Sequence, residues 1–200
     1  MSNEIVIDIE TKKSFQEVGG PENLKMLGVS CAGVYFYNTD SYYAFEEHEM
    51  SLLEEKLATC SRIIGFNIHH FDLPVLSAYL NMDRLRTIPT LDLFEEVVKK
   101  LGHRISLNSL ATATLGAKKS GNGMQALQWY KEGKIEEIKK YCLEDVRLTK
   151  ELYEYGKLHG KLFFNSYFKD DKMPVEVGWK ALSSLGGANQ GRALFQGKLL

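Results

Sequence analysis

The sequence predicts a mixed α/β sheet covered by helices, and two patterns carry this prediction. Strand-like segments come first: 4–10 alternates polar and apolar residues, whereas 27–37 and 42–45 are rich in β-branched and aromatic residues and read as an antiparallel meander. Helical and strand-like segments then alternate along the rest of the chain. This order is typical of a mixed sheet with helices packed on its faces.

Local end signals define the remaining elements. Leucines recur at helical spacing after Ser51, a favoured N-cap residue, and Ser106 has the same position before a second helical pattern. Gly102 and Gly116 follow two helical patterns, where glycine commonly ends a helix, and Pro74 is tolerated in a first turn. After the first three strands, with a turn at 38–41, the predicted order is a helix over 51–60, a strand over 62–66, a helix from about residue 73 and a strand over 87–91. Helices over 92–101 and 107–115 follow, then a basic loop at 118–123 and a helix over about 134–156. The last predicted elements are strand-like segments at 162–168 and 175–179 around a turn at 169–172.

The length of 200 residues suits one domain, which we place at 1–180, with 181–200 as a C-terminal tail of uncertain structure. No apolar run approaches the roughly 20 residues that span a bilayer, so no membrane contact is expected, and no secretory signal opens the sequence. Cys31, Cys60 and Cys142 are scattered and form no CxxC pair. Reduced thiols in a cytoplasmic protein are therefore expected.

The net charge of the chain is −1 at pH 7. Proteins that hold nucleic acid by charge alone are usually strongly basic, so this sequence excludes that class. If the protein acts on nucleic acid, its cations are locally placed or metal ions supply the positive charge.

Asp8 and Glu10 are candidate metal ligands in the first strand. Residues two apart on a strand point to the same face, so the two carboxylates lie side by side and repel each other. A bound cation relieves that repulsion. The alternative is a solvated strand face, but the flanking residues Ile5, Ile7 and Ile9 indicate a central, buried strand.

Asp72 is a third candidate ligand, at the point where a polar turn leads into a helix. This position is at or near the N-cap, so a capping aspartate is the alternative, and the two roles can coexist. His69 and His70 are not expected to bind metal, because adjacent side chains in a turn diverge. Asp92 is interpreted as a helix cap or a supporting group outside the core site.

Tyr141 and Asp145 are four residues apart in a predicted helix, so both lie on one face, one turn apart. Asp145 is flanked by apolar Cys142 and Val146 along the same helix. The alternatives are an exposed acidic face that includes Glu144, and a tyrosine that is only half-buried.

Together these residues resemble a known family. The motifs occur in the order Asp8-x-Glu10, Asn67-x-x-x-Phe71-Asp72 and Tyr141-x-x-x-Asp145. They resemble the DEDD, or DnaQ-like, exonuclease superfamily, which has a ribonuclease-H-like fold. The tyrosine at position 141 is similar to the DEDDy branch, which includes the proofreading domains of family B DNA polymerases. The resemblance covers about 4–155, and 106–120 resembles stand-alone relatives of those domains.

The resemblance implies a 3′–5′ exonuclease that cleaves phosphodiesters with two divalent ions, Mg²⁺ or Mn²⁺, which prefer carboxylate ligands. Asp8 would bridge the ions, Glu10 and Asp145 would complete the site of the attacking water, and Asp72 would hold the second ion through water. Tyr141 would orient that water. The expected substrate contacts are Thr11, Asn67, Lys118 and Lys119, although Asn67 also suits a turn and the lysines a solvated loop.

The expected partner is a single-stranded or 3′-ended nucleic acid, with DNA slightly favoured over RNA. A protein partner is compatible with the near-neutral charge. Two alternatives remain on the same fold. A non-catalytic binding module is disfavoured because all four acids are present, and an endonuclease is disfavoured by the tyrosine of the third motif.

Overall fold

The computed structural model describes residues 3–117, 123–165 and 171–179. Within them, a five-stranded mixed sheet has the order β3-β2-β1-β4-β5, in which the first three strands are antiparallel and β4 and β5 run parallel to β1. The predicted α/β fold, a mixed sheet flanked by helices, is therefore confirmed. The strands are β1 (Glu4–Thr11), β2 (Val29–Phe36), β3 (Ser41–Phe45), β4 (Arg62–Gly65) and β5 (Thr90–Asp92).

Helices cover both faces of the sheet, and a two-stranded hairpin follows the last helix. None of the described helices is long and apolar enough to cross a membrane. The helices are α1 (Met50–Leu57), α2 (Asp72–Leu76), α3 (Met82–Leu85), α4 (Leu93–Leu101), α5 (Leu107–Leu115), α6 (Gly123–Lys131) and α7 (Ile135–His159), with 3₁₀ helices at Gln16–Val18, Pro21–Met26 and Glu47–Glu49. The hairpin is formed by β6 (Lys161–Asn165) and β7 (Lys172–Glu176).

The alternation in β1 builds two separate cores. Ile5, Ile7 and Ile9 pack into one core beneath α1 and α2, whereas Val6 packs into the other with apolar residues of α4, α5 and α7. Because side chains alternate along a strand, the side chains of residues 8 and 10 lie on the same face as Val6, toward α7. The expectation of a central, buried strand is confirmed.

Gly33 allows α7 to pack closely on the sheet. A Cβ at Gly33 would lie 2.9 Å from Cys142 Sγ and 3.0 Å from Val146 Cγ2, so any other residue would push the helix outward. Gly33 is also the register partner of Asp8 in β2. The inner face of α7 is therefore held close to the part of β1 that carries the acidic pair.

Several predicted boundaries are wrong. Ser51 does not cap α1, because a capping box of Glu46 and Glu49 precedes a helix that already begins at residue 50. Gly123 opens helix α6 instead of ending a loop, and α6 and α3 were not predicted. Residues 118–122, most of the predicted loop, lie outside the described residues.

The C-terminal hairpin also differs from the prediction. Its second strand begins at Lys172, which was assigned to the turn, and ends before 177–179. Pro174 is tolerated there because β7 pairs with β6 alone among the described strands. Helix α7 runs past Gly156, where the missing side chain makes room for the Trp179 ring. The expected tail at 181–200 lies outside the described residues.

Candidate metal centre

Three carboxylates converge where β1 meets α7. One ligand oxygen from each of Asp8, Glu10 and Asp145 lies within 4.8 Å of the others, a spacing that can hold a metal ion. The strand places the first two on one face, and the close approach of α7 at Gly33 brings the third over them. Asp145 is 5% exposed, so this charge lies close to the protein interior.

Asp72 joins the same region from the other edge of β1. It is the first residue of α2, and Phe71 takes the cap position, so Asp72 lies next to the N-cap, within the range predicted for it. Its Oδ1 accepts a hydrogen bond of 3.0 Å from the backbone N–H of Ile9. The carboxylate therefore contacts the backbone of β1 between Asp8 and Glu10. This contact lies past the end of the β1–β4 pairing, whose last β1 residue is Val6.

The pKa of Asp72 is raised to about 8, mainly because the side chain is buried. The negative charges of Asp92 and Asp145 raise it further, whereas the hydrogen bond from Ile9 acts in the opposite direction. Burial and like charges both disfavour the ionised form. A carboxyl group in this environment must lose its proton before it binds a cation, so the cation and the proton compete for it.

Tyr141 lies on the inner face of α7 and is 2% exposed. Burial, followed by the charges of Asp145, Glu10 and Asp8, holds the pKa of its phenol well above the usual range. The hydroxyl therefore keeps its proton at neutral pH, which suits hydrogen bonding better than direct proton abstraction. The Trp129 ring packs edge-on against Tyr141, with ring centroids 6.0 Å apart.

A family model described as RNase_H superfamily matches residues 5–156, which is more than half of the chain. The chain belongs to the RNase H superfamily. The match runs from β1 into α7 and so includes all the acidic residues described above. A search of curated proteins finds no match to the chain.

This RNase H superfamily member supports its first acidic residue in a way that the sequence did not indicate. The buried thiol of Cys142 accepts a hydrogen bond from the Gly33 N–H at 3.1 Å and lies 3.4 Å from the Asp8 carbonyl oxygen. The same sulfur is 3.7 Å from Asp8 Oδ2. Cys142 therefore helps to hold Asp8 against β2 and α7. In the sequence, only the position of Cys142 next to Tyr141 on a buried helix face pointed to this supporting role.

The expected substrate residues occupy different environments. Asn67 has a left-handed backbone (φ 69°), which asparagine tolerates, and its buried Oδ1 has no hydrogen-bond partner among the described residues. Thr11 is buried at the end of β1, and its hydroxyl donates to the Lys13 carbonyl at 3.0 Å. Lys118 and Lys119 lie outside the described residues.

A second group with metal-ligand spacing comprises His69, Asp92 and Glu95. Its atoms already have protein partners: Nδ1 and Nε2 of His69 lie 2.9 Å from Glu95 Oε2 and 2.7 Å from Thr90 Oγ1. His70 also contacts Glu95, at 3.2 Å, so the expectation that the two histidines diverge is wrong.

Asp92 caps α4, as one of the two interpretations of this residue predicted. Its carboxylate accepts from the Phe94 N–H at 3.0 Å, and also from the N–H groups of Asn67 and His69 at 2.8 and 3.1 Å. These bonds fix the turn that leads to Asp72. This second group therefore has a clear structural role in positioning the second motif.

Proposed function

We propose that the protein is a metal-dependent 3′–5′ exonuclease of the DEDDy type. The observation that carries the proposal is the convergence of Asp8, Glu10 and Asp145 within 4.8 Å. Tyr141 stands one helical turn from Asp145, and Asp72 contacts the backbone between the two acids of β1. The proposed relationship to family B polymerase exonuclease domains and their stand-alone relatives rests on this same order of motifs.

The donor set suits hard divalent cations. Carboxylate oxygens are the preferred protein ligands of Mg²⁺ and Mn²⁺, and those of Asp8, Glu10 and Asp145 lie within 4.8 Å of one another. Two such ions, when bound, would activate a water and stabilise the departing 3′-oxygen. In this proposal Asp8 would hold both ions, Glu10 and Asp145 would hold the ion beside the attacking water, and Asp72 would hold the second ion through a water molecule.

Tyr141 orients the attacking water in this proposal. Its raised pKa keeps the hydroxyl protonated, so it acts first by hydrogen bonding to the water and only second as a base. A cleft of about 750 Å³ opens beside Tyr141, between α6, α7 and β3, and is lined in part by Trp129 and Tyr42. None of the four acidic residues Asp8, Glu10, Asp72 and Asp145 lines this cleft.

The proposed substrate is a single-stranded or 3′-ended nucleic acid, with DNA slightly favoured. The buried Oδ1 of Asn67, which has no hydrogen-bond partner among the described residues, supports a polar contact to the terminal nucleotide. Thr11, Lys118 and Lys119 complete the proposed contacts. A single domain over 1–180, a cytoplasmic location and a possible protein partner also belong to this proposal.

The proposal is tested by digesting 5′-labelled single- and double-stranded DNA and RNA with Mg²⁺, Mn²⁺ or EDTA. We expect stepwise release of mononucleotides from a free 3′ end. No release is expected in EDTA or with the Asp145→Asn variant. Cleavage of a circular or 3′-blocked single strand would indicate an endonuclease instead. Metal-dependent binding without turnover on any of these substrates would indicate a non-catalytic binding module.

A further inference from the structure

Two histidines and two acids meet where the turn before α2 packs on the start of α4. His69 and His70 lie in that turn, whereas Asp92 caps α4 and Glu95 lies in its first turn. Nδ1 of His69 is 2.9 Å from Glu95 Oε2, and Nε2 of His70 is 3.2 Å from Glu95 Oε1. The two neighbouring rings therefore meet at a single carboxylate, as the ligands of one metal ion do.

The spacing of these atoms suits a tetrahedral ion. Nitrogen and oxygen ligands lie about 2.1 Å from Zn²⁺, so neighbouring ligands of a tetrahedral ion are about 3.4 Å apart. The distances from His69 Nδ1 to Glu95 Oε2 and Asp92 Oδ2, 2.9 and 3.9 Å, lie on either side of that value. The side chain of His70 is 68% exposed, so its ring can turn toward the same ion as a fourth ligand.

Thr90 of β5 orients the His69 ring. Its hydroxyl lies 2.7 Å from Nε2, whereas Nδ1 faces Glu95. A hydroxyl can accept from Nε2–H, and the tautomer that carries this proton has its lone pair on Nδ1. Metal-bound histidines almost always donate their second ring N–H to such an outer partner. The lone pair then points toward carboxylates, and a cation between them would make this contact favourable.

The charge of the group favours a divalent ion. Among the described residues, the ion-pair partners of Asp92 and Glu95 are the two histidines, and Lys99 of α4 pairs with Glu96 instead. With neutral histidines the group carries two negative charges, which one divalent cation would balance. Asp92 Oδ2 accepts a hydrogen bond from the His69 N–H at 3.1 Å, which leaves this oxygen a further lone pair for a ligand.

We propose that His69, His70, Asp92 and Glu95 form a second metal site, separate from the acidic centre, that binds Zn²⁺. Imidazole nitrogens suit Zn²⁺ and Ni²⁺, whereas the all-carboxylate centre suits Mg²⁺ and Mn²⁺. The ion would tie the turn before α2 to the first turn of α4. That turn leads directly to Asp72, so the ion would stabilise the segment that carries the second motif without taking part in bond cleavage.

Calorimetric titration of the metal-free protein with Zn²⁺ tests the site, with His70→Ala as the first variant. The exposed position of His70 allows its removal without loss of the fold, and losing a ligand should weaken Zn²⁺ binding at least about tenfold. His48→Ala is the matched control, because His48 is also exposed and lies 3.9 Å from the carboxylate of Glu46. This variant should bind Zn²⁺ as the wild type does. Equal affinities of His70→Ala and wild type would overturn the inference.

The Asp8→Asn/Asp145→Asn variant separates the two metal sites. It removes charge from the acidic centre, so the Zn²⁺ that it still binds reports the histidine site. We expect one ion per chain in this variant, and at least about tenfold weaker binding when His70→Ala is added. The absence of Zn²⁺ binding in Asp8→Asn/Asp145→Asn would place the ion at the acidic centre and overturn the inference. None of these measurements depends on nuclease activity.

Nitrogen chemical shifts of the histidine rings identify the ligands directly. The chain has five histidines, so their long-range proton–nitrogen correlations can be assigned by single substitutions. One equivalent of Zn²⁺ should shift Nδ1 of His69 and Nε2 of His70 and leave the other three rings unchanged. At free Zn²⁺ about a hundred times Kd, the melting temperature should rise by about 8 °C. Unchanged ring nitrogens of His69 and His70 in saturating Zn²⁺ would overturn the inference.

Discussion

Strand β1 carries acidic side chains at both of its ends, and the side chains that surround these acidic groups differ between the two ends. At the start of β1, the buried carboxylate of Glu4 lies 3.5 Å from the guanidinium of Arg62 and accepts a hydrogen bond of 3.2 Å from the Tyr153 hydroxyl. All three side chains are at most 5% exposed. The chain supplies the counter-charge here, so Glu4 has a structural role.

At the far end of β1, several carboxylates lie close together. Asp8 and Glu10 of β1 lie near Asp145 of α7, and the charge of Asp145 helps to raise the pKa of Asp72. The comparison teaches that a buried acid on this strand is not in itself a functional signal. The identity of its neighbours distinguishes a buried ion pair from a group of carboxylates with the spacing to hold a metal ion.

The largest expected effect is on catalysis, from Asp8→Asn. The amide keeps the size of the side chain but removes a charge from the proposed ion-bridging position, so turnover should fall at least about 100-fold. The thermal unfolding midpoint without metal should stay equal or rise, because repulsion at this end is relieved. End-labelled oligonucleotide digestion and melting curves in EDTA measure the two effects. Retained turnover would show that the acidic end is not the catalytic centre.

The second prediction concerns the stability of the metal-free protein, which should fall as the pH rises. The folded pKa of Asp72 is about 8, whereas an unfolded aspartate titrates near 4. The folded state therefore keeps a proton that the unfolded state releases, so this contribution is complete below about pH 4 and is lost toward pH 8. We expect the melting temperature in EDTA to drop by about 10 °C over this range.

Asp72→Asn and added Mn²⁺ are the matched controls for this pH dependence. The amide cannot titrate, so the variant should show a flatter slope between pH 5.5 and 8. Glu46 and Glu47, whose pKa values are lowered by Lys139 and Lys12, act with the opposite sign but mainly below that range. Stabilisation by Mn²⁺ should increase with pH, because the cation competes with the proton. Equal slopes for both proteins would remove Asp72 as the cause.

The third prediction addresses the structural end of β1 through Glu4→Gln. Removing one partner of a buried ion pair leaves the guanidinium of Arg62 without its carboxylate, so the free energy of unfolding should fall by about 3 kcal/mol. Turnover measured well below the melting temperature should stay within about threefold of wild type, a small change in barrier height. Urea unfolding and oligonucleotide digestion check both statements. A large loss of turnover in a folded Glu4→Gln protein would break the division between the two ends.

The fourth prediction is that Gly33→Ala disturbs the acidic end from a distance. The new Cβ would press on Cys142 Sγ and Val146 Cγ2, at 2.9 and 3.0 Å, and shift α7 away from β1. Overpacking of this kind costs about 2 kcal/mol of stability, and the displaced Tyr141 and Asp145 should lower turnover about tenfold. Gly156→Ala, at the other end of the helix, should destabilise without that loss of turnover. Equal turnover losses in both variants would point to general unfolding.

Short-range patterns predicted the parts of this site that depend on one element. Alternation in β1 placed Asp8 and Glu10 on one face, and four-residue spacing in α7 placed Tyr141 and Asp145 on one face. Asp72 was expected at or near the N-cap of a helix, and it is the first residue of α2. Helix α2 has only five residues, and Phe71 takes the cap position with a backbone that no sequence signal specifies.

Contacts between distant segments could not be predicted from these patterns. The thiol of Cys142 meets Asp8 across 134 residues of sequence, and Phe15 meets Phe71 only because two loops converge at the edge of β1. Helix α6 was missed because Ala126 is its one buried residue among those described, which leaves no apolar stripe for a periodic pattern to reveal. Such features depend on tertiary packing and not on local propensity.

The smallest expected effect comes from Tyr153→Phe, which removes one hydroxyl from the structural end of β1 and so tests directly how Glu4 is neutralised there. The hydroxyl lies 3.2 and 3.4 Å from the two Glu4 oxygens, distances at the long end for hydrogen bonds, so we expect a loss of about 1 kcal/mol. In Glu4→Gln the same substitution should cost less, because the acceptor charge is absent. A double-mutant cycle by urea unfolding measures this coupling. A coupling near zero would mean that Arg62 alone neutralises Glu4, and that the tyrosine only fills space between β1 and α7.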